Sequence, residues 1–501
     1  MRKFLNKVKE KIKSYHPNKY IWYLYIFIPI FISSILKVDK ESDIFFLLKY
    51  GEKVLNSGFP TIDWLSMHQN FSFVMQQWLS ATIFYNFYHI FGHYGLIFIV
   101  CLINILIIYM MYKFCMLLSN NNYKVSIILT IISDLLLESS FILPRPQIFD
   151  YLNLIIVLYV MEDFYKNGNS KKLLILIAVS LLQINLHSST WFVLFLFMLP
   201  YVVSLIYEKI KDHSDKRIYK VILVMFVMFL VGFINPYGIK NILYVITSYG
   251  NYYIDNLVIE MLPPVLLGTE YSIYGVLTLF TMTCVIAVYI IYKKSNISLR
   301  YGLLLLGVTI LAITHIRNYS LYIIGAILPL ALYLKNILRN NMKDKFIIDK
   351  EYRRHYTLVI CILFVYIILL VPITNNKFTN TLEKGIDYLL KYNKKENIIL
   401  YAGYNNGSYC EFRGLKPYID SRAEIFLKSN NKKKDILKEY YLLSNNRLDY
   451  NKFIDEYKFT HLIVSKGENI YGYIKNDKKY KVIFKGKGYM IFERKDLKTK
   501  R

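Results

Sequence analysis

The sequence predicts an α-helical polytopic membrane protein of about eleven spans that ends in a small α/β domain. Three observations predict it. Apolar residues fall in blocks long enough to cross a hydrocarbon core as helix, which takes about 20 residues. Cations recur in alternate loops between those blocks. The last stretch, residues 376–501, abandons the apolar blocks for short strand-like and helix-like runs. Composition agrees, with 55% of the 501 residues apolar, 19% charged and a mean hydropathy of +0.31. Ordinary soluble enzymes and disordered chains are excluded. Five cysteines, four of them inside apolar blocks, exclude a disulfide framework.

Taken in order, the spans are expected near residues 21–37, 94–117, 124–143, 147–162, 171–187, 190–208, 217–235, 272–292, 300–316, 319–336 and 356–374. The first follows a basic stretch, residues 1–20, and lacks a small-residue cleavage site, so it reads as a retained helix. Residues 21–375 then form the membrane domain. Lys166, Lys171 and Lys172, then Lys209, Lys211 and Arg217, then Lys293, Lys294 and Arg300 mark alternate loops. Positive charge stays cytoplasmic. The N-terminus is therefore expected inside and residues 376–501 outside, as an extracytoplasmic domain of a multi-pass cell-membrane protein.

Two expected outer loops, 38–92 and 236–271, are too large to be connectors. In the first, Asp43 precedes Ile44, Leu47, Leu48, Val54 and Leu55 on one helical face, with Lys49, Glu52 and Lys53 opposite. This predicts an amphipathic helix along the membrane surface, ended by Gly58-Phe59-Pro60. Capping of that helix by Ser42 or Asp43 explains an aspartate there as well as catalysis does. A second helix is expected from Phe73 to Phe87, carrying Gln77 and Trp78. Further polar residues fall at the outer ends of spans: Arg145 and Gln147, Asn185 and His187, Asn235, Glu260, and His315, Arg317 and Asn318. Singly each reads as a boundary residue. Together, on one face, ionisable groups at membrane depth predict a shared polar cavity, which Asp150 is placed to reach. In the tail, strands are expected at 397–401, 417–419, 460–465, 480–484 and 489–493, with helices near 403–412, 430–445 and 449–457. No nucleotide-binding or zinc motif occurs.

The order of these motifs resembles that of bacterial multi-pass glycosyltransferases of the GT-C superfamily, near the glycosyltransferase family 39 and aminoarabinose transferase types. The residues that carry it are Asp43, Asp63 and Ser66, Gln77-Trp78-Leu79, Arg145-Pro146-Gln147, Asn185-Leu186-His187, Asn235-Pro236-Tyr237-Gly238, Arg317-Asn318, Asn406-Gly407-Ser408-Tyr409 and Asp420-Ser421-Arg422-Ala423-Glu424. The chain departs from the pattern at Gln77, where Glu is common, and at Ser188 after His187, where Gly is common. The resemblance implies transfer of a sugar from a polyprenyl-phosphate carrier to a lipid or glycan acceptor at the outer face. It implies Asp43 as general base, with Asp39 as its neighbour and alternative. Arg145, Arg317 and His315 would hold the carrier phosphate, and Gln77, Trp78, Gln147, His187 and Glu260 would complete the substrate site. No cofactor is expected, the first outer loop has no Asp-x-Asp pair to support a divalent metal, and no nucleic-acid partner is expected. Rival readings are a polysaccharide polymerase or ligase, which shares the outer-face Arg and His pattern, and a lipid-linked glycan transporter or flippase. No convincing internal repeat, which would favour a transporter, is found, and the polar residues gather at one face rather than the centre, Asp134 alone lying mid-span.

Overall fold

The computed structural model describes residues 42–264, 272–291, 297–335 and 381–496. The expected first and last spans, the basic N-terminus and Asp39 lie outside the described residues. Fourteen α-helices precede the tail among those described: α1 Asp43–Ser57, α2 Trp78–Phe91, α3 His93–Leu118, α4 Tyr123–Ser140, α5 Gln147–Asn167, α6 Leu174–Leu186, α7 Trp191–Lys211, α8 Arg217–Val231, α9 Ile239–Ser248, α10 Tyr252–Leu257, α11 Ser272–Ile291, α12 Leu299–Thr314, α13 Tyr319–Tyr322 and α14 Leu330–Leu334. A π-helical turn, Ile323–Ile327, continues α13. Among the described residues, three helical stretches are long and apolar enough to cross a membrane: His93–Leu118, Ser188–Lys211 and Ile316–Leu334. In such helices every backbone group is paired internally, which lipid demands. Pro146 precedes α5 at the position where its missing N–H costs nothing, and Gly168 ends it in the left-handed conformation.

Buried polar pairs tie helices of the bundle together. Asn104 on α3 donates to Glu138 on α4 at 2.5 Å. Arg300, grouped in the sequence with the free loop cations, is instead buried and bonds both carboxylate oxygens of Glu162 at 2.9 Å. A guanidinium matches a carboxylate fork, so a charge written in a loop is consumed between helices.

The largest departure from expectation is α1. Ile44, Phe45, Phe46, Leu47, Leu48, Tyr50 and Gly51 are all buried, so this helix is covered on nearly every side rather than laid on a surface. One side packs on α2; the other meets the tail, where Phe45 contacts Tyr409 edge-on at 4.9 Å and Phe412 at 5.5 Å. Leu55, expected on the apolar face, is exposed. The helix ends where Gly58 takes a φ of 77°. The second helix starts at Trp78 rather than Phe73, because residues 59–77 run as a loop bound to the tail.

The tail comprises α15 Glu383–Tyr392, β1 Leu400–Ala402, α16 Tyr404–Phe412, α17 Lys428–Asn431, α18 Ile436–Ser444, α19 Tyr450–Tyr457, β2 His461–Ser465, α20 Asn469–Ile474, β3 Tyr480–Lys485 and β4 Tyr489–Arg494. The sheet order is β1-β2-β4-β3. β1 runs parallel to β2, and the β2–β4 and β4–β3 pairs are antiparallel. Expected strands fall at β2, β3 and β4. The first begins later than expected, after a 3₁₀ turn at Lys395–Asn397, and residues 417–419 make a single bridge, Leu400 to Pro417. The tail is fastened to the outer-loop segments: Met67 N–H donates to Pro417 O at 3.0 Å, Ser72 N–H to Asn431 O at 3.2 Å, and Thr247 Oγ1 to Asn430 Oδ1 at 2.5 Å.

A buried ion cluster completes this seam. Arg422 Nε and Nη2 bond Asp420 at 2.8 and 2.6 Å, Nη2 also bonds Glu411 at 2.7 Å, and Nη1 bonds Asp63 of the first loop at 2.7 Å. Burial raises the Asp63 carboxyl, but Arg422 and Ser66 outweigh it and hold it below its ordinary value. Burial pushes Glu411 well above the ordinary range; Arg422 opposes this, and the neighbouring Asp420 and Asp63 reinforce it. Three acids share one cation, which makes Glu411 the readiest of them to take up a proton.

Candidate functional site

Between the tail and the helix ends nearest it lies a cavity of about 730 Å³. Its walls come from α1, the start of α5, the turn after α6, the loop around Glu260, the turn after α12, and the tail. Asp43, Gln77, Arg145, Gln147, His187, Glu260, His315 and Arg317 all line it. Trp78 does not. Its Nε1 donates to Asn185 Oδ1 at 2.8 Å and its ring meets Phe59 edge-on at 5.2 Å. That ties α2 to the end of α6, a bracing contact behind the cavity wall.

The charged end is built from segments far apart in sequence. Asp43 occupies the first turn of α1, where Ser42 is the N-cap and makes no side-chain cap bond. Its Oδ2 lies 3.6 Å from Arg145 Nε, and Arg145 Nη1 donates to Glu260 Oε1 at 2.6 Å. Burial alone would raise Glu260, but Arg145 and Arg317 hold it below the ordinary carboxylate value. Both arginines also line a smaller adjoining recess with Gln147, Tyr151 and Glu260. Among the described residues no carboxylate forms an ion pair with Arg317. A guanidinium facing a cavity in this way is suited to an anion that enters from outside.

Beside it sits an ordered polar relay. Asp150, one turn into α5, accepts from His187 Nδ1 at 2.6 Å and from Gln183 Nε2 at 2.6 Å. Gln183 Oε1 accepts from Asn153 at 2.7 Å, and the other His187 nitrogen meets Ser189 Oγ at 2.7 Å. A carboxylate on one ring nitrogen fixes the imidazole's orientation and presents the other to the neighbouring hydroxyl. The amide oxygens of Gln76, Gln77 and Gln147 are buried against the cavity with no partner among the described residues. Unpaired buried acceptors are costly, and hydroxyl donors of a ligand would satisfy them. His315 lines the wall with Nδ1 3.0 Å from Thr314 Oγ1. No cluster of three metal-ligating side chains occurs among the described residues.

The sequence reading missed the tail's share of this cavity: Tyr401, Tyr404, Asn405, Ser421, Glu424, Tyr440, Glu468 and Asn469 all line it. Glu424 stands close enough to Asp43, Arg317 and His187 to feel their charges, and burial raises its carboxyl above the ordinary value. Two signals were available: Glu424 ends the Asp-Ser-Arg-Ala-Glu run, and Gly403 and Gly467 follow directly on strands, where ligand-binding turns of parallel sheets arise.

No protein-family model and no curated protein matches the chain. Solved structures do, among them two of ArnT. ArnT from Cupriavidus metallidurans bound to undecaprenyl phosphate superposes with a TM-score of 0.52 at 10% identity, over 95% of this chain and 98% of that one. The apo state of the same protein gives 0.55 at 10% identity, over 96% and 98%. The fold is therefore that of these ArnT structures, as the resemblance in the sequence implied.

Proposed function

We propose that this chain is a membrane glycosyltransferase that moves a sugar from a polyprenyl-phosphate carrier to a cell-envelope acceptor. The observation that carries the reading is the convergence of Arg145 and Arg317 on one cavity, in a fold shared with a protein captured on undecaprenyl phosphate. The carrier phosphate binds the two guanidiniums by charge-assisted hydrogen bonds, with His315 alongside. The sugar lies against Gln76, Gln77 and Gln147, whose amide oxygens accept from its hydroxyls. The acceptor's oxygen or nitrogen attacks the anomeric carbon and its proton passes to the Asp43 carboxylate. The bond from that carbon to the phosphate oxygen breaks, and the pair of electrons leaves with the phosphate, whose growing charge the arginines offset. About eleven spans put the N-terminus inside and the tail outside, so the cavity opens at the outer face.

The test is Asp43→Asn. Because Asp43 is not the cap residue of α1, and Asn keeps its volume, expression and folding should be parental. Transfer of carrier-linked sugar by the purified protein, followed by mass analysis, should fall by roughly 10² to 10⁴. Asp39→Asn serves as the neighbouring control. Parental transfer by Asp43→Asn would remove Asp43 from the base's role.

A further inference from the structure

We propose that the C-terminal domain supplies the acceptor subsite, and that its occupant is a polyhydroxylated glycan rather than a lipid or a protein. This rests on the transferase reading above and names the substrate of the same cavity.

The geometry starts from the sheet. β1 and β2 are parallel, with Leu400 opposite His461 and Ala402 opposite Ile463, so their carboxyl ends emerge side by side. In parallel sheets the crevice beyond those ends is where ligands bind. Here the turn after β1 delivers Gly403, Tyr404 and Asn405, and the turn after β2 delivers Gly467, Glu468 and Asn469. All but Gly403 line the cavity. Gly403 leaves no room for a side chain, since a Cβ there would come within 2.8 Å of Glu468 Oε1. Tyr440 closes the crevice, its hydroxyl accepting from Tyr404 N–H at 3.2 Å.

The crevice is continuous with the charged end. Tyr404 feels the charges of Asp43, Glu424 and Glu260, while Tyr401 and Tyr440 feel that of Glu468. Tyr404 therefore links the charged end of the cavity to Tyr440, which it meets through its N–H. The tail cannot drift from this position without breaking the Arg422–Asp63 bond and exposing the cluster behind it.

Its chemistry selects the occupant. Tyrosine rings offer faces to the C–H surfaces of pyranose rings, and Asn405, Asn469 and Glu468 offer donors and acceptors for hydroxyls. Arg422, the tail's only cation on the cavity wall, is spent on three carboxylates. Glu424 and Glu468 meet an occupant with carboxyls, which suit sugar hydroxyls and offer a phosphorylated headgroup no cation. An acyl chain would satisfy none of the rim's hydrogen-bonding groups.

The experiment uses the full-length protein in lipid nanodiscs. Binding of undecaprenyl phosphate is measured first. Radiolabelled carrier-linked sugar is then offered with envelope material of the source cells, split into polysaccharide, lipid and protein fractions. Label should enter the polysaccharide fraction. In the Asn405→Ala/Asn469→Ala variant, both positions being exposed, the polysaccharide concentration for half-maximal transfer should rise about tenfold for two lost hydrogen bonds, with undecaprenyl phosphate binding parental. Label in the lipid or protein fraction, or in none, overturns the inference, as does a variant with an unchanged half-maximal concentration. Failure of the parent to bind undecaprenyl phosphate would instead bring down the transferase reading, and the inference with it.

Discussion

Replacing Arg422 with Met should free the tail from the first outer loop. The guanidinium is buried among Asp63, Glu411 and Asp420, at 2.6 to 2.7 Å from each. Its removal strips the Asp63 and Asp420 carboxylates of their cation. Breaking a buried pair from one side costs about 3–5 kcal/mol. Asp63 keeps bonds from Leu65 and Ser66 N–H and from Ser66 Oγ, and Asp420 keeps one from Arg422 N–H. The lower end of that range is therefore expected, about 3 kcal/mol, or roughly a hundredfold in the equilibrium between docked and open tail. Hydrogen exchange over residues 61–73 and limited proteolysis of the tail read that equilibrium directly. Glu411→Gln should behave oppositely, because it removes one acid from a cluster that sets three acids against one cation. It should also flatten a pH dependence. A carboxyl whose folded value is raised binds more proton folded than unfolded, so its contribution is complete below 4.5 and declines as pH rises toward its folded value. Asp63 works in reverse: it stabilises fully above 3.8 and loses its effect only below. Docking of Arg422→Met indistinguishable from parent, or a pH profile untouched by Glu411→Gln, would refute this account of the seam.

Three other outcomes are expected. In a background without native cysteines, Asn476→Cys on the exposed tail surface should react with an impermeant reagent on intact cells and Ser214→Cys should not; the reverse inverts the topology. Ser408 would be a poor reporter because it is fully buried. Arg145→Lys and Arg317→Lys should each weaken undecaprenyl phosphate binding about 10- to 100-fold, since Lys cannot form the bidentate contact; unchanged affinity in both would remove the phosphate site. Gly407→Ala should lower the tail's unfolding free energy by about 1–3 kcal/mol, because its Cβ would run into the Ile419 carbonyl oxygen; normal thermal stability would show that α16 shifts freely.

The helices of the bundle were legible because a long apolar block admits one structure in lipid. Outer-end polar residues were legible as a set for the same reason: Arg145, Glu260 and Arg317 have no business at the ends of apolar blocks unless they meet. What escaped was whatever depended on partners distant in the chain. α1 carries a polar stripe of Lys49, Glu52 and Lys53 that reads as a surface helix, and nothing local reveals that the tail would cover Phe45. Trp78 stands beside Gln77, yet helical geometry sends one behind the wall and the other into it. The Asn-Gly-Ser-Tyr and Asp-Ser-Arg-Ala-Glu runs were visible as motifs but not as halves of one junction, where Gly407 admits the backbone that positions Asp420.

The cavity wall has a consequence for biosynthesis. Its first lining residue is Ser42 and its last is Ile470, so ribosomes must complete nearly the whole chain before the site exists. Earlier nascent chains expose Arg317 and the glutamine amides on an unroofed membrane domain, with no compartment to commit a donor sugar. On the proposed function, sugar transfer is thereby withheld until the final segment has folded and been seated. A chain cut short by a late stop codon would insert into the bilayer and still be incapable of spending carrier.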